Sequence, residues 1–373
     1  HMAIGVTDFL VYTNDCSDGT DGMLDVLQKR GLVQHRENPF RKVKKSIHHA
    51  VYSASLKEQA YKRADWIVTM DVDEFINVHV GDGTLTDLFA AVPNANLISI
   101  TWRVFGNNFV HEFRDEPVTE QFTRCSRPLS PRPLKALCFK TLFKNVGIYG
   151  RLDTHRPKRL DESRIGEIIW VNGSGRVLPK TPGLLNNRRR SNLRNAGFDL
   201  VSLNHYAVRS AGSFIMKCHR GDAQPARDID LLYWFNLNNN ALEETSIQRL
   251  APATQAVLDD LLADPELRAL HDASVEHHAE KIGRLMKRDA FRALYDEITG
   301  RRMERLSEMH HHFAQSVFQD PGGMNKIPDD FTERTIPENH VFTARDGERY
   351  PLDTVEFFQL DPFYEPAWRD EKP

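Results

Sequence analysis

The feature that most constrains this chain is its alternation of short apolar runs with helical stretches, in which the third run ends in a knot of carboxylates. Phe9-Leu10-Val11-Tyr12 is apolar and ends in the polar turn Asn14-Asp15-Cys16-Ser17-Asp18-Gly19. Thr20 then reads as the cap of a helix carrying Met23, Leu24 and Leu27, closed at Gly31, where a glycine takes the left-handed cap. Residues 32–36 read as a second strand and 46–63 as a helix. Trp66-Ile67-Val68-Thr69-Met70 is the third apolar run, and it ends in Asp71-Val72-Asp73-Glu74-Phe75. A short helix over 84–91 and a strand over 97–105 follow. Strands separated by helices of this length predict a mostly parallel sheet covered on both faces.

Beyond Gly106 the pattern loosens, with strands expected at 139–145, 168–172 and 199–206. From Ser210 onward the reading is helical: 213–219, 229–236, 253–262, 266–298 and 302–318. The last fifty-odd residues are polar and proline-rich and are expected to wrap the surface. The implied division is an α/β unit over 3–220, a helical extension over 221–320 and a tail over 321–373. A length of 373 residues is consistent with about two domains. The chain holds 49 Lys+Arg against 52 Asp+Glu, a formal net charge of −3, which argues against a non-specific nucleic-acid binder. No stretch approaches ~18 consecutive apolar residues, so no membrane-crossing helix is encoded. Cys16, Cys125, Cys138 and Cys218 form no CxxC pair, which fits a reducing, cytoplasmic setting.

The C-terminal ends of strands in such sheets are where ligands bind. Asp71 and Asp73 alternate about Val72, so an extended segment turns both to one side. Two hard oxygen donors there suit Mg²⁺ or Mn²⁺ bound together with a diphosphate. A solvated turn is the plain alternative, but the apolar residues on both sides pull the cluster inward. An EF-hand is excluded, because the loop glycine is missing. A haloacid-dehalogenase-type phosphatase also places DxD after an apolar strand, but it wants Thr or Val where this chain has Phe75.

The ordered series TNDCSDGTDG, DWIVTMDVDEF, WRVFGNN, THRPK and LNHYAVRS resembles family 2 glycosyltransferases of the GT-A fold, in the bacterial branch carrying DVDEF. The resemblance spans roughly residues 3 to 220. It implies a metal-dependent transfer of a sugar, with inversion, from a nucleotide-sugar, UDP-linked first, to a glycan or lipid-linked acceptor. It implies that Asn14, Asp15 and Asp18 lie near the nucleotide, that Asp71 reaches the ribose or metal, and that Asp73 ligates the metal. His205 completes the metal site in this reading, with His155 as its rival. The family's opening strand and helix, with their Asn-Glu pair, have no counterpart before Gly5, so the sheet is expected to lack its first strand. His1-Met2 is set aside as a cloning remnant. A carbohydrate-binding relic of the fold is the non-enzymatic alternative.

Trp102, Asn107 and Asn108 in WRVFGNN combine a ring with amides, as a sugar site requires, and Trp170 has the same chemistry. A core tryptophan beside turn asparagines is the competing account. Lys217 and Arg220 are candidates to meet the diphosphate. Arg188-Arg189-Arg190 reads as a solvated turn, with contact to an anionic inner-membrane face or a phospholipid-linked acceptor as the alternative. His310-His311-His312 falls in a helical pattern that points three residues three ways, a poor arrangement for a metal. Inversion needs a general base across the sugar from Asp73. Glu120, between apolar positions, is expected to be partly buried and is the first choice; Asp153 and Asp222 follow.

Overall fold

The computed structural model describes residues 1–180, 190–221, 229–320, 322–338 and 340–344, together with the backbone of 349–351. It is an α/β protein: a mixed sheet flanked by helices, followed by a helical C-terminal region. The strands that build it are β1 (Leu10–Thr13), β2 (Gln34–Glu37), β3 (Trp66–Ile67), β4 (Glu74–Val78), β5 (Leu97–Val104), β6 (Arg124–Cys125), β7 (Phe139–Lys144), β8 (Tyr149–Arg151), β9 (Lys158–Leu160), β10 (Trp170–Asn172) and β11 (Val201–His205). The central sheet runs β3-β7-β5-β11-β4, with β10 also pairing with β5. β10 and β11 lie parallel to β5, while β7 is antiparallel to both β5 and β3, and β4 is antiparallel to β11. β1 and β2 form a separate parallel pair.

The register divides the sheet into two chemically different faces, because side chains alternate along each strand. Leu203 lies opposite Trp102, and Leu203 and His205 lie opposite Ile76 and Glu74. Ile100 lies opposite Lys140. One face therefore carries Ile76, Val78, Ile98, Ile100, Val104, Leu142 and Leu203 in the main core. At the end of that apolar face stand Glu74, Trp102, Lys140 and His205. The opposite face of β4, β5 and β11 is polar and equally buried, with Asn77, Ser99, Thr101, Arg103, Ser202 and Asn204. It is held by bonds such as Asn77 Nδ2 to Ser246 Oγ at 2.9 Å.

The expected strands fall close to where the sequence places them, while β4, β6, β8 and β9 are not among those expected; the helices differ more. The expected helix over 46–63 is two, Ile47–Ser55 and Gln59–Arg63. The expected helix over 266–298 is also two, Pro265–Leu285 and Asp289–Ile298, with Gly283 in the last turn before the break. Thr84 caps Leu85–Ala91 through a reciprocal capping box with Asp87. Thr20 does not cap its helix. Gly19 is the N-cap, and Asp18 Oδ1 accepts the Thr20 N–H at 3.1 Å. His1, set aside in the sequence reading, stacks on Phe75 and accepts the Ile76 N–H, which covers part of the β4 edge. No helix among the described residues is long and apolar enough to cross a membrane.

Candidate active site

Asp71-Val72-Asp73 is a turn leading into β4 rather than an extended segment, so strict alternation does not set its side chains. Val72 projects outward and is 95% exposed, while Glu74 is fully buried. Glu74 Oε2 accepts the Asp71 N–H at 2.9 Å, which folds the turn back over the strand end. Lys140, a lysine with only 1% of its side chain exposed, donates to Asp71 Oδ2 at 2.9 Å and stands 3.2 Å from Glu74 Oε2. A buried ammonium persists only when paired in this way. Burial would lower Lys140, but Asp71 and Glu74 hold it above its ordinary range. Burial would lift the Asp71 carboxyl, but Lys140 holds it below the usual carboxylate range. Burial pushes Glu74 up to about 8 against the pull of Lys140.

That asymmetry has a measurable consequence. An acid whose folded pKa is raised contributes stability that is complete below its unfolded value and is lost as pH rises through the folded one. For Glu74 the window runs from 4.5 to about 8. Glu74→Gln keeps the shape and cannot ionise. Denaturant unfolding of the two proteins across pH 4 to 9 should therefore show a difference profile that moves in favour of the Gln variant by a few kcal/mol, on the order expected for a shift of this size. A pH-independent difference would mean that Glu74 titrates in the folded protein as it does in the unfolded chain.

The second half of the site centres on Asp73. Its Oδ1 lies 3.7 Å from His205 Nε2 and its Oδ2 lies 3.4 Å from Lys217 Nζ. The Tyr206 N–H donates to the Asp73 backbone carbonyl at 2.9 Å, which ties the turn to the end of β11. Lys217, on helix Ala211–Arg220, also donates to the Ala207 carbonyl at 2.6 Å. Arg209 precedes that helix with a φ of 57°, a left-handed conformation that costs a non-glycine residue about 1 kcal/mol or more. Its charge and that of Lys217 counter burial and hold Asp73 below the usual carboxylate range, with His205 adding to them only where it is protonated. The Trp102 ring lies against His205 with centroids 4.2 Å apart. Burial drives His205 down to about 4, with Asp73 opposing, so the imidazole is neutral at pH 7. Its Nδ1 is buried with no hydrogen-bond partner.

Residues 1–145, which contain the acidic turn, Trp102 and Lys140, match the model of glycosyltransferase family 92. This chain is a glycosyltransferase. No curated protein sequence matches it significantly. The matched family is number 92, where the motifs resemble family 2, so the likeness holds at the level of glycosyltransferases rather than the DVDEF branch. His155, His205, Arg209 and Lys217 lie beyond the matched span.

The structure sorts the glycosyltransferase's other candidate residues. His155 joins the site: its ring is 6.0 Å from Trp102 and its Nδ1 lies 2.9 Å from the Phe139 carbonyl. Asp153 lies beside it, half-buried, with Arg151 at 2.9 Å and Lys158 at 2.8 Å. Thr69 Oγ1 donates to the Asp153 carbonyl at 2.8 Å, which fixes this loop to the segment just before Asp71. Tyr52 joins the same group through Thr154 Oγ1 at 3.2 Å. Asn14 and Asp15 stay at the end of β1, where Arg41 pairs with Asp15 at 2.7 Å.

Three expectations are corrected. Trp170 is buried in the second core cluster with its Nε1 bonded to Ser99 Oγ at 2.6 Å, so it offers no surface to a sugar. Asn107 and Asn108 are spent on the chain itself. Their N–H groups donate to Asn238 Oδ1 and Asn240 Oδ1, and Asn107 Oδ1 accepts from Asn240. Glu120 is exposed on the short helix Val118–Gln121, so the burial that would tune it as a base is absent. Arg220 is exposed at its helix end. Asp222, Arg188 and Arg189 lie outside the described residues. Sequence reading missed Lys140 and Arg209, because neither residue signals its partner locally.

The acidic turn can be tested as a cation site from its own donors. Two donors each about 2 Å from one ion stand up to about 4 Å apart. Asp73 Oδ1 and His205 Nε2, at 3.7 Å, meet that limit. The neutral imidazole is the ligating form. Asp71 is drawn toward Lys140, and among the described residues Asp71, Asp73 and His205 do not close into a three-donor cluster. Asp73 and His205 thus fit a divalent cation as a pair, with Asp71 on its flank.

Proposed function

We propose that the enzyme transfers a hexose from a nucleoside diphosphate sugar, UDP-linked first, to a glycan or lipid-linked acceptor with inversion, through a GT-A-type site. The observation that carries this reading is Asp73, inside the span matched by a glycosyltransferase model, held between His205 and Lys217 at the end of the sheet. Asp73 and His205 would hold Mn²⁺ or Mg²⁺. The cation, when bound, supplies positive charge to the diphosphate leaving group. Lys217 and Arg209 add fixed positive charge on the same side, which favours the charge that develops as the glycosidic bond breaks. Trp102 holds the His205 ring in place.

On the acceptor side, Asp153 is better placed than Glu120, because its loop is pinned to the segment entering the acidic turn. Burial would raise it, but Lys158 and Arg151 keep it ionised. A carboxylate this acidic takes the acceptor's proton only as that oxygen bonds to the anomeric carbon, at Oδ1 or Oδ2. The phosphatase alternative requires Asp71 as a free nucleophile, and Lys140 occupies it.

A thermal-shift and donor-hydrolysis panel of UDP-, GDP- and dTDP-sugars, with and without Mn²⁺, tests the proposal. A ligand that binds only the folded state raises the melting temperature. The expected result is stabilisation and slow hydrolysis by UDP-sugars only when Mn²⁺ is present. Equal response without metal, or response to simple phosphoesters alone, would overturn it.

A further inference from the structure

We propose that His311, His312 and Glu338 form a second metal site, distinct from the acidic turn, that takes a borderline cation such as Zn²⁺ and fastens the C-terminal segment to the helical region. One ring nitrogen from each histidine and a Glu338 carboxylate oxygen all lie within 4.8 Å of one another. Sequence spacing argues against such a site only if these residues are α-helical. His310–His312 is instead a single 3-10 turn, and it sets the His311 and His312 rings side by side with centroids 3.9 Å apart.

Several independent features make this a built site rather than a chance cluster. His312 Nδ1 lies 2.8 Å from the His340 carbonyl, which fixes the ring and leaves Nε2 as the free donor. A metal-ligating imidazole characteristically gives its second nitrogen to a carbonyl in this way. His311 Nδ1 is buried with no hydrogen-bond partner, although His311 Nε2 stands 3.9 Å from Glu338 Oε2. An imidazole nitrogen left bare in the interior costs free energy unless something binds it.

The backbone on both sides is rigid. Phe313 bridges to Phe342, and the Ala314 N–H donates to the Phe342 carbonyl at 2.8 Å. Closing the three donors from 4.8 Å onto a tetrahedral zinc requires a contraction to about 3.4 Å, and the exposed Glu338 side chain is the part free to move. Arg127 already pairs with Glu338, chiefly through Oε1, and a carboxylate accepts a guanidinium on one oxygen and a metal on the other. Two nitrogens and one oxygen select zinc, cobalt or nickel over magnesium. Water completes the coordination.

The test is titration of the full chain with Co²⁺ alone, read by its visible ligand-field absorption, and with Zn²⁺ alone, read by calorimetry. Both are done in the Asp73→Asn background so that the acidic turn does not contribute. The expected result is one equivalent bound, weakened at least about 10-fold by Glu338→Gln and abolished by His311→Ala. Glu338 is exposed, so its variant keeps the fold whatever becomes of the histidines. At the same concentration, zinc should also raise the melting temperature of the parent more than that of Glu338→Gln. The absence of a cobalt band, or a band and affinity unchanged in both variants, overturns the site.

Discussion

Asp73→Asn is expected to weaken Mn²⁺-dependent binding of UDP by at least about 100-fold, the scale of losing several kcal/mol of metal-mediated charge stabilisation. The amide keeps the volume of the carboxylate but removes the negative charge that faces both His205 and Lys217. Asn at this position also spares the fold, because the backbone carbonyl of residue 73 still receives the Tyr206 N–H. Calorimetry with UDP at saturating Mn²⁺ reads the effect, and circular dichroism checks the fold. Unchanged UDP affinity in a folded variant would remove Asp73 from the donor site.

Lys140→Met should be the most destabilising single change at the site, by about 3–5 kcal/mol, as when one partner of a buried ion pair is removed. The loss arises from what is left behind. Buried Glu74 would be left beside Asp71 with no cation, and Glu74 Oε1 already has no partner. The double variant Lys140→Met with Glu74→Gln should recover part of that loss, because it removes the stranded carboxyl. Urea unfolding of the single and double variants measures both steps. A single variant within about 1 kcal/mol of the parent would show that water reaches Lys140 and that the burial seen here is not maintained.

Most of the sheet was legible because most of its strands carry their own evidence, although β4, directly after the acidic turn, is not among the strands expected from sequence. Residues 97–104 and 201–205 are apolar on one side and small or polar on the other, and period-two patterns survive without knowledge of partners. The acidic turn was legible for the same local reason. Lys140 was not. Within Phe139-Lys140-Thr141-Leu142 nothing names its partner; the antiparallel pairing of β7 with β3, which leads into the acidic turn, brings it to a residue 69 positions earlier. Asn107 and Asn108 misled in the opposite direction. Exposed amides after a tryptophan suit a sugar, yet their partners Asn238 and Asn240 arrive from a distant loop and use them up. The break after Leu285 is marked by Gly283 alone, a residue that a helix interior also tolerates.

The three cations gathered around the acidic turn also bear on how a donor arrives. A bare DVDE turn would repel a nucleoside diphosphate at long range and depend on a bound ion to admit it. Here Lys140, Lys217 and Arg209 surround Asp71 and Asp73, with Glu74 inclined to be neutral, so the mouth presents a field that draws anions inward. Encounter is then steered by charge built into the chain, and the association rate should fall as ionic strength shortens the reach of that field.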